Sequence, residues 1–136
     1  MKLKKKQKKT VPKALTRSSI RKSVRQVNLS DNDLKQIDAK FWLNLNLEEI
    51  ILSGNKNLEL IPDQVATLTK LQILDLSGTS LKKVNDLLWS LPKLKVLNLS
   101  RSGGNLFQNL VFTHYSLNFS LTILKKYKNQ WTRKYF

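Results

Sequence analysis

The chain has 136 residues, 40% of them hydrophobic, no cysteine and a formal net charge of +16. That length fits one domain with a modest core, and the absence of cysteine excludes disulfides and thiol chemistry. No apolar run follows the first lysines, which argues against a secretory signal. No stretch reaches the ~18 apolar residues of a membrane-spanning helix. A soluble intracellular protein is expected, cytoplasmic or nuclear and not secreted.

The charge is unevenly placed. Residues 1–25 hold 11 of the 25 Lys/Arg and no acid, residues 125–136 hold another 5, and all 9 Asp/Glu fall between Asp31 and Asp86. The body of the chain is neutral and the excess sits at its two ends. Residues 1–23 are therefore read as a basic segment, either a disordered tail or an N-terminal cap. Pro12-Lys13-Ala14-Leu15 and Ile20 through Val24 are candidates for a helical turn over the first repeat, with proline near its start.

Residues 24–116 carry a repeat, which decides the architecture before any single element does. Val24-x-x-Val27-x-Leu29-x-x-Asn32-x-Leu34 recurs as Leu47-x-x-Ile50-x-Leu52-x-x-Asn55, with Leu58 one residue late. It recurs as Leu71-x-x-Leu74-x-Leu76-x-x-Thr79-x-Leu81 and again as Leu94-x-x-Leu97-x-Leu99-x-x-Ser102. In each copy the alternation predicts a short strand, leucines inward and the residues between them facing solvent. The turn after the strand must satisfy its backbone groups, and an Asn amide both donates and accepts. Asn32 and Asn55 meet that need; Thr79 and Ser102 offer one hydroxyl each, so the later repeats should be looser there. The second halves also keep register, as Phe41, Val65, Leu88 and Val111, followed by Trp42, Ala66, Trp89 and Phe112. The aromatic column reads as packing along the outer side, with a binding patch as the alternative.

The fourth copy is degenerate, with Gly104 where Leu34 and Leu81 stood. Residues 117–136 then read as a closing strand, Leu117, Phe119, Leu121 and Ile123 alternating with polar residues, and a basic aromatic tail. A fragment of a longer array would have the same appearance.

These motifs resemble the leucine-rich repeat family over about residues 24–117, most closely its intracellular type with 23-residue repeats. Leu-Ser-Gly-Asn (52–55) and Leu-Ser-Gly-Thr (76–79) also resemble repeats of plant disease-resistance receptors. The resemblance implies an α/β solenoid, with short parallel strands on the concave side and irregular or short helical outer segments. No single repeat buries its apolar face, so stability must come from stacking.

No catalytic constellation is found. His114 is the only histidine and shares a repeat position with Asn44, read as an outer turn. Ser30, Ser53, Ser77 and Ser100 form a repeat column without a base to activate them. No phosphate-binding glycine loop and no metal-ligand spacing occur, so no enzyme, cofactor, metal or small-molecule substrate is expected. The solvent-facing strand positions instead suggest a protein partner for a monomer of scaffold type, with Ile51, Ile73 and Val96 as an apolar centre and Glu48, Glu49, Gln72, Asp75, Lys95 and Asn98 around it.

The alternative places binding in the tails: Lys2–Lys9 would meet a nucleic acid or an anionic membrane, and Trp131 and Tyr135 would stack on bases. Any such affinity should fall steeply with salt, and deleting residues 1–22 should remove most of it. Polyanion binding that survives both about 0.5 M salt and the deletion would move the site into the repeats.

Overall fold

A computed structural model describes residues 9–17, 23–103 and 111–113. Five three-residue strands form one sheet in chain order: β1 (Gln26–Asn28), β2 (Glu49–Ile51), β3 (Ile73–Asp75), β4 (Val96–Asn98) and β5 (Val111–Thr113). The first four are parallel, with Val27, Ile50, Leu74 and Leu97 in register. That register is the sequence period itself, so each turn of chain sets one strand beside the last. The ladder extends past the strands, since Leu29, Leu52 and Leu76 each donate to the next repeat (2.8 Å in every case).

Between strands the chain returns through 3-10 turns, Ala39–Leu43, Asp63–Thr67 and Asp86–Ser90, each packed on its neighbour. Their starts follow local chemistry. Asp38 accepts from the Lys40 N–H (2.7 Å) and Asn85 from the Leu87 N–H (3.0 Å), while Pro62 precedes the middle turn. No α-helix occurs among the described residues.

The core lies between these two layers. Strand centres, the leucines after them, and Phe41, Val65 and Leu88 of the turns are all buried. Burying a Leu or Phe side chain contributes roughly 1.5–3 kcal/mol, and every repeat supplies several. Trp42 is also fully buried, edge-on to Phe41 at 5.3 Å, and Trp89 is partly buried against the core. These two aromatics pack; Trp42 is not available as a binding patch.

The N-terminal end is covered by a fourth 3-10 turn, Lys13–Thr16, which follows Pro12 and packs on Ala39–Leu43. Val11 and Leu15 join the core. Asn44 explains the join. Its column continues as Leu68 and Leu91, all buried, so the position faces inward rather than forming the outer turn expected. The Asn44 amide donates to the Leu15 carbonyl (3.1 Å) and to that of Phe41. A polar residue in a leucine column thus ties the cap to the first repeat. His114, placed by analogy with Asn44, lies outside the described residues, as does the closing strand expected after it.

A second correction concerns Val111 and Phe112, expected as the outer segment of a fourth repeat. They form β5, which pairs antiparallel with β4, Phe112 opposite Leu97. A parallel partner needs a long crossover, whereas an antiparallel one needs only a reversal. With no leucine at Gly104 to anchor a return segment, the chain comes back along β4.

The turns after the strands carry the polar part of the core. Asn55 is fully buried; its amide donates to Leu29 O (2.9 Å) and Leu52 O (2.7 Å), and its oxygen accepts from the Leu34 N–H (3.2 Å). It therefore joins two repeats. Thr79 and Ser102 hold the equivalent positions with hydroxyls 3.0 Å apart, sharing the Leu76 carbonyl. Lys56 and Asn57 form the turn that absorbs the extra residue, and the Leu58 N–H donates to the Asn55 carbonyl (3.0 Å).

The equivalent position in each turn is left-handed, Asp31 (φ 54°), Gly54 (72°), Gly78 (64°) and Arg101 (55°), and the fourth turn adds Gly103 (59°). Glycine adopts this conformation without steric cost, Asp tolerates it, and Arg is strained there.

Substitutions in these turns should separate the two effects. Asn55→Ala removes the side-chain partner of Leu52 O and of the Leu34 N–H, while Leu29 O keeps its bond from Asn32 (2.9 Å). The loss should cost roughly 1–3 kcal/mol, clearly more than Thr79→Ala, and urea melts of both variants compare them. Arg101→Gly should stabilise the chain by about 1 kcal/mol, and Asp31→Gly by less. A lower urea midpoint for Arg101→Gly would contradict the assigned strain. Because Val11 and Leu15 are core residues, a tail deletion that spares the fold must stop before Val11.

Candidate functional site

The strands alternate a buried centre with two partly exposed flanks in β2, β3 and β4. Residues at the flanks share the sheet face away from the core. Register sets Gln26, Glu49, Ile73 and Val96 side by side in one row, and Asn28, Ile51, Asp75 and Asn98 in another. A third row, at the strand entries, runs Arg25, Glu48, Gln72, Lys95. Of the nine residues expected at a partner surface, Glu49, Ile51, Ile73, Asp75, Val96 and Asn98 therefore occupy one face, and Glu48, Gln72 and Lys95 stand at the strand entries beside it. Ile51, Ile73 and Val96 are partly buried rather than freely exposed.

The entry row is paired across strands. Arg25 meets Glu48 at 2.7 Å, and Lys95 donates to Gln72 at 2.9 Å. The Arg25 side chain is 72% exposed, so this ion pair orients the two groups and contributes at most about 1 kcal/mol. Glu49 has no bonded partner among the described residues.

The Asn28 row has a role that the solvent-facing assignment missed. Asn28 accepts from the Ser30 N–H (2.9 Å) and hydroxyl (2.7 Å), and Asn98 does the same for Ser100 (3.0 and 2.7 Å). Asp75 accepts from the Ser77 N–H (2.8 Å). Each side chain thus caps the turn after its strand, as Asn and Asp do with a residue two positions on. The signal is visible in the sequence as Asn-Leu-Ser, Asp-Leu-Ser and Asn-Leu-Ser. It also accounts for the serine column, in which Ser30 and Ser100 are turn donors.

Among the described residues no group of three His, Asp or Glu is placed to hold a metal ion. No helix there is long and apolar enough to cross a membrane. Residues 1–8 and 114–136, which include the basic ends and Trp131 and Tyr135, lie outside the described residues.

Residues 45–103, which hold the second to fourth strands and their turns, match the family model described as leucine rich repeat. The chain carries leucine-rich repeats. The matched span includes Asn55, Thr79 and Ser102 and every residue of the face except those of the first repeat. No curated protein and no solved structure gives a significant match. Leucine-rich repeats generally mediate protein–protein interaction and are typically non-enzymatic.

Proposed function

We propose that this chain is a protein-interaction module which binds a macromolecular partner on the strand face of a short leucine-rich repeat solenoid, the concave side in that architecture. The observation that carries the reading is the composition of that face. Three aliphatic side chains, Ile51, Ile73 and Val96, occupy adjacent parallel strands, with Glu48 and Glu49 on the β2 segment, Asp75 on β3 and Lys95 at the entry to β4 around them. A partly exposed apolar centre inside a polar rim is how protein interfaces are built. Small strands joined into one rigid row hold these groups at fixed spacing, which lowers the ordering cost of binding. The partner is read as a protein, with the solenoid as its scaffold.

A second reading rests on a separate observation, the 11 basic residues and no acidic one in positions 1–25. Such an end attracts nucleic acid or anionic membrane without a sequence code. It would concentrate the chain near a polyanion while the face selects the partner.

Ile73 and Leu74 are adjacent but face opposite ways, partly exposed and fully buried respectively. Ile73→Lys should leave the urea melt within ~0.5 kcal/mol and cost ~2 kcal/mol or more of binding to the partner recovered with the full chain. Leu74→Lys should unfold the repeat. Full partner recovery by folded Ile73→Lys would make the strand face idle.

A further inference from the structure

Building on the interaction face proposed above, two departures from the repeat's own structural rule point to what it recognises. In three repeats the last strand position is an Asn or Asp whose oxygen accepts from the N–H two residues on. In β2 that position is Ile51, an aliphatic side chain that accepts nothing. The Ile-Leu-Ser turn gives up a cap that its three counterparts keep. Ile51 is also not consumed by the core, since the inward position beside it is Ile50, which is fully buried.

Asp75 departs in a different way. Neutral Asn28 and Asn98 make the same turn bond with an uncharged oxygen. The turn needs an acceptor and does not need a charge. Asp75 therefore carries a negative charge surplus to the fold, and register sets it directly beside Ile51. Glu49, two residues before Ile51 on the same face, adds a second carboxylate without a bonded partner among the described residues. Ile73, diagonal to Ile51, extends the apolar surface.

The two anomalies adjoin each other, and neither serves folding. We infer that this part of the face takes an extended segment of a protein partner that presents an aliphatic side chain next to a lysine or arginine. The aliphatic group packs between Ile51 and Ile73, and flanking cations meet Glu49 on one side and Asp75 on the other. Apolar contact alone would fit many segments; the paired carboxylates reject an acidic one.

The chain's own charge sharpens the test. At a net +16, general electrostatics repels a basic peptide and attracts an acidic one, so selective capture of a basic peptide must come from a local site. The probe is a fluorescent Ser/Gly nonapeptide with Lys-Leu-Lys at its centre, compared with Glu-Leu-Glu and Lys-Ser-Lys versions, titrated by anisotropy into the full chain. Saturable binding of the Lys-Leu-Lys peptide is expected, at least tenfold tighter than Lys-Ser-Lys. Ile51→Asn restores the missing cap and should raise the melting temperature or leave it unchanged, while weakening that binding at least tenfold. Asp75→Asn should melt as the parent does and weaken binding several-fold. Attraction of the Glu-Leu-Glu peptide to the basic ends should be indifferent to both variants.

Absence of Lys-Leu-Lys binding, or equal binding by both variants, overturns the inference. Binding that appears only after residues 1–8 are removed also overturns it, because Lys2-Leu3-Lys4 of the chain itself would then be the occupant. A native partner lost on Ile73→Lys but retained by Ile51→Asn would leave the interaction reading intact and reject this one alone.

Discussion

A strand of three residues has no stability of its own, and the structure depends on how firmly each is tied to the next. Asn55 is where that tie is strongest. One buried amide holds a carbonyl from its own repeat and one from the repeat before, while its oxygen holds the Leu34 N–H. The leucines around it supply most of the free energy through burial, but burial is non-directional and would tolerate slippage. The amide does not. It sets the spacing between neighbouring turns, and so the register of the strands that precede them, and so the rows in which the face residues stand.

Toward the C-terminal side that control weakens in steps. Thr79 and Ser102 bridge through hydroxyls that share a single carbonyl, and the left-handed turn position passes from glycine to Arg101. Beyond that turn the repeat is abandoned, and β5 runs the other way. At the N-terminal side the opposite is done, with an asparagine placed in a leucine column to hold the cap. Among the described residues the array is thus bounded by different means, a covering 3-10 turn on one side and a reversed strand on the other.

The repeat itself was legible because a leucine every few residues fixes direction as well as burial: Val27, Ile50, Leu74 and Leu97 were placed inward by spacing alone, and the rows of the face followed. The 3-10 character of the returns was not, since it comes from side-chain caps at Asp38 and Asn85 that also suit an α-helix. Asn44 was misread because a polar residue in a turn ordinarily meets water, and only the packed Leu15 carbonyl gives it a reason to be inside. Val111 and Phe112 were misread because their spacing from Leu88 and Trp89 continues the outer column, and spacing alone does not show where a return segment gives way to a strand. Six face residues, Glu49, Ile51, Ile73, Asp75, Val96 and Asn98, were placed on one face for a mechanical reason, the two-residue alternation of a strand. The capping duty of Asn28, Asp75 and Asn98 went unseen, although each stands two residues before a serine, because a solvent-facing position was assumed to have no work within the fold.

Asp31 occupies a place that matters to its neighbour in the array. A Cβ added at Gly54 would lie 2.3 Å from the Asp31 carboxylate oxygen, whereas one added at Gly78 would meet only the Gly54 backbone, at 3.6 Å. The two turns share a shape yet differ in what change they can accept. Gly54 is held both by its own backbone conformation and by a side chain one repeat away; Gly78 is held by conformation alone. For a lineage drifting by single substitutions the two positions ask different things: a side chain at residue 54 requires Asp31 to turn aside or shrink, while one at residue 78 meets only its own conformational cost. Near-identical repeats thereby cease to be interchangeable.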